Sequence, residues 1–177
     1  MGLTRDEVVK LVTSFKRSAW RLETRQSYDV PAEADRVRAF REGRPIPPAP
    51  TGWLQPVRDA VAAGKRMGRV HVVDEPLSDY LRFELAVYRE NVAAGEDVGI
   101  ARRAPHPALR NLTEDFILFD ADTDAPTVVW LRYSDAGRVL GYDRGSDDDV
   151  ARCVAQRDLA LACAVPLDEF AAAIQGV

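Results

Sequence analysis

Apolar residues recur at helical spacing near the start of the chain, where Val8, Leu11, Val12 and Phe15 share one face. Thr4-Arg5-Asp6-Glu7 supplies a start signal for that helix: Thr4 caps the first turn and Glu7 reaches back, as in a capping box. Residues 19–28 carry no clear period and read as extended chain or as a turn around Leu22. Pro31 suits the first position of a second helix and Gly43 its stop. The proline-rich stretch 45–50 is a stiff, extended connector. A third helix is expected over about residues 53–63, ended by Gly64.

The pattern then changes to that of a sheet. Residues 69–74 are a β-branched strand, Pro76 breaks the chain, a helix runs over about 77–94 to Gly95, and 97–101 form the next strand. Strand, helix and strand in that order describe a βαβ unit, with its strands parallel and a right-handed crossover. Residues 115–120 are apolar on both faces, as in a central strand. They are followed by 127–133 and 138–142, separated by polar turns, which together read as an antiparallel meander. Asp147, Asp148 and Asp149 favour the N-terminus of a helix that continues to about residue 164, and Pro166 restarts a short final helix. The expected fold is α/β (α+β), in one domain over 1–177. Residues 1–66 would be mainly helical, 67–146 would hold a mixed sheet of about five strands with its crossover helix, and 147–177 would be C-terminal helices.

Composition agrees with one globular unit. Domains usually run about 100–200 residues, and this chain has 177. A chain of that size buries roughly 70% of its unfolded surface without help from disulfides or metals. The apolar share of 46% and charged share of 29% argue against disorder. Arginine (21) far outnumbers lysine (3), a bias of GC-rich bacterial coding. The formal charge of −4 gives no general attraction for a phosphate backbone. The crowded Arg17, Arg21, Arg25, Arg36, Arg38, Arg41 and Arg44 are interleaved with Glu23, Glu33, Asp35 and Glu42, which argues against a nucleic-acid partner. The first residues lack the apolar core of a signal peptide, and no apolar run approaches the ~20 residues of a membrane span. Cys153 and Cys163 fall ten residues apart on one expected helix, roughly 15 Å, beyond disulfide reach. Free thiols imply a reducing compartment, and a cytoplasmic location is expected.

Few chemical motifs are present. There is no phosphate-cradling Gly-x-x-x-x-Gly-Lys, no Gly-x-Gly-x-x-Gly and no Gly-x-Ser-x-Gly elbow. Asp120, Asp122 and Asp124 alternate like the opening of a calcium loop. Ala125 then stands where that loop needs glycine and Leu131 where it needs glutamate, so a solvated hairpin turn is expected. His71 lies mid-strand between valines and His106 between prolines; neither has metal-ligand spacing, and no metal or cofactor is expected.

The helix after Pro76 carries the most information. At 100° per residue, Leu77, Tyr80, Leu81, Leu85, Val87, Tyr88 and Val92 form an apolar stripe that also contains Glu84 and Asn91. Ser78, Arg82 and Arg89 fall on the opposite side. A carboxylate turned toward a sheet is costly unless paired, so Arg69, Arg21 or Arg132 should meet Glu84. The pairing would either fix only the packing of the helix or mark a polar pocket in which Glu84 binds a ligand or acts as acid/base. Glu75 and Ser78, at the strand-to-helix turn, lie where open α/β sheets bind ligands; Ser78 serves equally well as an N-cap.

The segment from Arg69 to Glu84 (Arg-Val-His-Val-Val-Asp-Glu-Pro-Leu-Ser-Asp-Tyr-Leu-Arg-Phe-Glu), with Asn91 and Ala94-Gly-Glu-Asp97, resembles a small actinobacterial family of unknown function often encoded near helix-turn-helix regulators. Phe15, Ser18 to Thr24, Tyr28, Gly43, Trp53, Asp115 to Asp120, Arg157-Asp158 and Ala164 to Pro166 carry the same resemblance over nearly the whole chain. It implies a single domain and no particular reaction. The order of elements also resembles half of a phospholipase D-like fold. That family's His-x-Lys is absent, because Val72 and Val73 follow His71 and no lysine follows Lys65. The expected function is therefore a non-enzymatic regulatory module that binds a small molecule or a protein through Glu75, Ser78, Tyr80, Arg82, Glu84, His71 and Asn91. The alternative is a small enzyme of actinobacterial specialised metabolism, with Glu84 or Glu75 as acid/base near His71.

Overall fold

A computed structural model describes residues 2–175. Met1, Gly176 and Val177, the outermost residues of the expected first and last sections, lie outside the described residues. In chain order the elements are β1 (Gly2–Leu3), α1 (Arg5–Ser14), β2 (Ser18–Glu23), α2 (Ala34–Arg41), α3 (Thr51–Ala62), β3 (Arg66–Val73), α4 (Asp79–Ala93), β4 (Asp97–Arg102), β5 (Phe116–Phe119), β6 (Thr127–Tyr133), β7 (Val139–Arg144), α5 (Asp147–Cys163), β8 (Ala164–Pro166) and α6 (Leu167–Gln175). The strands form one mixed sheet in the order β1-β7-β6-β5-β2-β3-β4-β8.

The mixed α+β class matches the expectation, whereas the strand count does not. Eight strands are present among the described residues in place of about five. Two of the additions are short edges, β1 on β7 and β8 on β4. The third, β2, is central: it pairs in parallel with β3 and antiparallel with β5. The section expected to be mainly helical therefore contributes a middle strand. The βαβ unit is present, with β3 and β4 parallel around α4, and β5-β6-β7 form the antiparallel meander.

Local signals explain most element ends. Thr4 and Glu7 close the expected capping box on α1, and Ser146 with Asp149 close a second on α5. Pro31 opens a single 3-10 turn that runs into α2. Asp120, expected in a solvated turn, is buried. Its carboxylate accepts the backbone N–H groups of Lys16, Arg17 and Ser18 at 2.7–3.2 Å, tying the end of β5 to the start of β2. Asp115 does the same at the other end of these strands, accepting from the Thr24 N–H and hydroxyl, both at 2.8 Å.

The two faces of the sheet differ where α4 covers one of them. On one face Trp20 and Leu22, Val70 and Val72, Phe116 and Leu118, and Val128 and Trp130 alternate inward against Cys153 and Ala160 of α5, an entirely apolar layer. On the other face α1 lies toward β7 and α4 toward β4, with α3 touching both helices. The two-residue period that makes the first face apolar turns Arg21, Glu23, Arg69 and His71 onto the second. Helix α4 is buried on more than one side. Leu81, Leu85 and Tyr88 pack with Leu167 and Phe170 of α6, while Phe83 packs under Val37 and Phe40 of α2. Phe83 thus belongs to the interior, and Val92, assigned to the apolar stripe by its spacing, is exposed.

The β6–β7 turn positions the segment after β2. Gly137 has φ +86°, and a side chain there would begin 2.7 Å from the Ser27 carbonyl oxygen and 3.0 Å from the Tyr28 Cα. Asp29 N–H donates to the Gly137 carbonyl at 3.1 Å, and Arg138 pairs with Asp29. Substituting Gly137→Ala is expected to destabilise the protein by about 1–3 kcal/mol, because a left-handed residue acquires a Cβ with no space for it. Urea unfolding of the two proteins checks this; equal midpoints would contradict it.

Candidate functional site

The charged residues on the second face assemble into one network. Register places Arg21 beside Arg69 and Glu23 beside His71 on the parallel strands β2 and β3. Arg69 is buried and held from two directions. Its Nε and Nη2 fork onto Glu96 at 2.8 and 3.1 Å, and Nη1 lies 3.2 Å from both oxygens of Glu23. Asn91 of α4 steadies the arrangement by donating to Glu96 at 2.7 Å, and the Tyr88 ring lies under the guanidinium, 4.8 Å away. Arg21 adds a second cation to Glu23 at 3.1 Å. Burial alone would raise the pKa of Glu23 and Glu96, but the surrounding partners together outweigh it: Arg69 with Arg21, His71 and Tyr88 for Glu23, and Arg69 with Asn91 and Arg21 for Glu96, so both are held below the usual carboxylate range.

His71 sits behind this pair with no exposed surface. Its Nε2 lies 2.8 Å from the Arg25 carbonyl, which can only accept, so Nε2 carries a hydrogen. Its Nδ1 faces the Tyr88 hydroxyl at 2.9 Å, Glu84 at 3.3 Å and Glu23 at 3.7 Å. Burial disfavours the imidazolium, yet Glu84 and then Glu23 outweigh it and push the pKa from 6.5 up to about 9. His71 is therefore the cation that meets Glu84. The expected arginines do other work: Arg69 and Arg21 serve Glu23, and Arg132 is paired at the surface with Glu114 and Asp143. With His71 charged, Glu23, Glu84 and Glu96 are balanced by Arg21, Arg69 and His71, three charges of each sign.

Above this floor is a cavity of about 440 Å³, bounded by Val8 and Val12 of α1, by Ala49 and Pro50 of the proline-rich connector, and by the inner face of α4. Its lining includes Tyr28, Tyr80, Tyr88, Tyr133 and Tyr142, all five tyrosines of the chain. Tyr28 lies at the centre of an aromatic group, its ring 6.0 Å from Tyr80 and 5.4 Å from Tyr133, and its hydroxyl donates to Asp115 at 2.5 Å. Burial, reinforced by nearby carboxylates, raises the pKa of Tyr28, Tyr80, Tyr88 and Tyr133, so these hydroxyls stay protonated at neutral pH. A larger cavity, about 600 Å³, lies by the N-terminal ends of β2, β3 and β4. Its charged lining includes surface pairs such as Arg66–Asp122 and Arg157–Asp158. The smaller cavity is the better candidate because its polar groups are buried, fixed and convergent.

Of the residues singled out in the sequence, Tyr80, Glu84 and Asn91 line this cavity and His71 supports it from behind. Glu75, Ser78 and Arg82 are not brought to it. Glu75 is exposed near Arg102, 3.6 Å away. Ser78 caps α4 by accepting from Leu81 N–H and donates to the Gln26 carbonyl. Arg82 is exposed on the outer side of α4. Glu23, Tyr28, Glu33, Tyr88, Tyr133 and Arg69 as a floor residue were missed. The alternation Arg21/Glu23 against Trp20/Leu22 was the signal that could have found the first of them. Cys153 and Cys163 are free, and the Cys153 thiol is pushed up to about 12 by burial.

The arrangement defines a class before it defines a family: a mixed-sheet α/β domain with an ionic floor beneath a tyrosine-lined cavity. Residues 6–172 match the family described as domain of unknown function DUF6879, and the chain belongs to that family. No curated protein matches the sequence. Among solved structures the chain resembles Nuc, a phospholipase D family member from Salmonella typhimurium, with a TM-score of 0.56 and 13% identity over 93% of this chain and 91% of that one. At that identity the likeness shows the fold alone.

Two outcomes are expected. Arg69→Met leaves Glu23 and Glu96 buried without their shared cation and should cost about 3–5 kcal/mol; adding Glu23→Gln and Glu96→Gln should recover part of it. Denaturant titration decides, and a loss under about 1 kcal/mol, the worth of an exposed pair, would contradict the network. The second outcome concerns pH. The folded pKa of His71 is raised, so its stabilising contribution is complete below pH 6.5 and is lost as pH rises through about 9. Unfolding midpoints of the wild type should therefore fall across that window more steeply than those of His71→Gln; parallel curves would contradict the assignment.

Proposed function

We propose that this protein is a non-enzymatic small-molecule-binding module with a regulatory role, and that the tyrosine-lined cavity is its ligand site. The observation that carries this is the convergence of all five tyrosines on one cavity with a fixed ionic floor. Its volume lies within the roughly 300–1,000 Å³ typical of small-molecule sites. The floor is pre-organised, since each of its charges has a partner before any ligand arrives, and pre-organisation lowers the ordering cost of binding.

Burial of His71 supports binding over catalysis. Both its nitrogens are engaged and it does not line the cavity, so an acid/base reaction pairing it with Glu84 lacks a route to substrate. The family resemblance to proteins encoded near regulators supports the regulatory part. A cytoplasmic setting accords with the two free thiols, and among the described residues no helix is long and apolar enough to cross a membrane.

Screening metabolite-sized compounds by ligand-detected NMR, then mapping hits on isotope-labelled protein, tests the reading. Hits should shift the Tyr28, Tyr80, Tyr133 and Tyr142 ring signals. Val9→Trp, at a half-exposed position on the cavity edge, should weaken them at least tenfold. Hits that instead map to Arg82 and Arg89 on the outer side of α4 would overturn it in favour of a partner surface there.

A further inference from the structure

On its Glu33–Glu84 side the cavity is rich in hydrogen-bond acceptors, and the Tyr28, Tyr88, Arg69 and Arg36 donors there are engaged. The Tyr28 hydroxyl hydrogen is spent on Asp115 and that of Tyr88 on Glu23, 2.7 Å away. The Tyr80 hydroxyl has one hydrogen but faces two carboxylates, Glu33 at 3.0 Å and Glu84 at 3.3 Å, so it can satisfy only one of them at a time. The guanidinium of Arg69 is closed by Glu23 and Glu96. That of Arg36 is engaged at Nη2 by Glu90 at 2.6 Å and at Nε by the Pro47 carbonyl at 2.9 Å. Glu33 is half-buried, and no cationic side chain among the described residues pairs with it within 4.0 Å.

The edge of the same cavity is apolar. Val9, Val30 and Val139 are three of the exposed large apolar side chains of the protein, and all three line it. A guest with an apolar body would cover them while its head reached the Glu33–Tyr80–Glu84 group. A carboxylate or phosphate head would add further acceptors to the two carboxylates there. A neutral head would leave the carboxylates as they are. A protonated amine brings up to three donors, satisfies both carboxylates together with Tyr80, and meets electron-rich tyrosine rings.

We infer that the ligand is a compact amphipathic organic cation, an amine whose ammonium group sits between Glu33 and Glu84 beside Tyr80 and whose apolar body packs against α1 and the Val30–Val139 edge. This rests on the tyrosine-lined cavity being the ligand site. Glu33 lies outside the Arg69 network, so its carboxylate can be altered without breaking the floor.

The test uses three probes of matched shape on the full chain at pH 7: 2-phenylethylamine, 2-phenylethanol and 3-phenylpropionate, each titrated while tyrosine ring signals are followed. The amine should bind saturably and at least tenfold more tightly than the alcohol, and the acid should be weakest. Glu33→Gln should weaken the amine at least tenfold and leave the alcohol unchanged, and Glu33→Asp should restore part of the loss; circular dichroism confirms that both variants are folded. If the alcohol or acid binds at least as well as the amine, the cavity reading stands and the cation inference falls. Amine affinity unchanged in Glu33→Gln overturns the inference in the same way. If none of the three perturbs the tyrosines, both are overturned.

Discussion

A guanidinium held between two carboxylates inside the protein governs the arrangement around it. Arg69 joins β2 through Glu23 to the α4–β4 corner through Glu96, so one side chain ties two neighbouring strands to the crossover helix. Burying three charges is expensive, and such groupings often add little to stability compared with apolar packing of the same volume. What this one contributes is position. Once Glu23 is fixed by Arg69 and Arg21, its second oxygen accepts from Tyr88, and Tyr88 in turn stands between His71 and Glu84. The orientation of α4 over the sheet, and hence of every polar group beneath it, follows from this chain of contacts.

The sheet divides the protein into two regimes. Against α5 the aromatic pairs Trp20–Phe116 and Phe116–Trp130, at 5.8 and 5.4 Å, make a layer without charged groups that supplies hydrophobic stabilisation. On the other face Ala19, Met67, Ile117, Phe119 and Val129 pack with α1 and α3 in a second apolar cluster, while β2 and β3 present Arg21, Glu23, Arg69 and His71 toward α4, where the cavity lies. Local rules broken on one face of a sheet and kept on the other commonly mark a functional surface. Both faces contribute apolar packing, and only the region beneath α4 departs from it.

Much of this was legible from residue patterns, in proportion to how local each signal is. The Thr4 capping box, the βαβ unit around Pro76 and the meander from Phe116 onward rest on near neighbours, and the structure contains all three. The inward turn of Glu84 and Asn91 followed from helical periodicity and is seen as well. The strand β2 was obscured because the alternation of Trp20 and Leu22 with Arg21 and Glu23 lasts only four residues, too few to set a period, and its charged positions are covered as well. The partner of Glu84 was misassigned because cross-strand register, which sets Glu23 beside His71 and Arg21 beside Arg69, is not encoded by spacing along the chain. Phe83 was left out of the apolar stripe yet is buried, because α2 covers a side of α4 that a two-layer picture leaves open, while Val92 within the stripe is exposed. Glu75, Ser78 and Arg82 were grouped with the site by proximity in sequence; Glu75 and Ser78 lie in the turn that starts α4, and helical periodicity puts Arg82 on its outer side.

The central claim is that the floor of the cavity is an ionised network in which His71 is a cation facing Glu84 and Glu23. The most direct measurement is the ¹⁵N chemical shift of both imidazole nitrogens of His71, followed by NMR from pH 5 to pH 10. The account predicts two protonated nitrogens at pH 7, with the transition to the neutral ring near pH 9. A ring that is already neutral at pH 7, titrating at or below the ordinary histidine value, would contradict it.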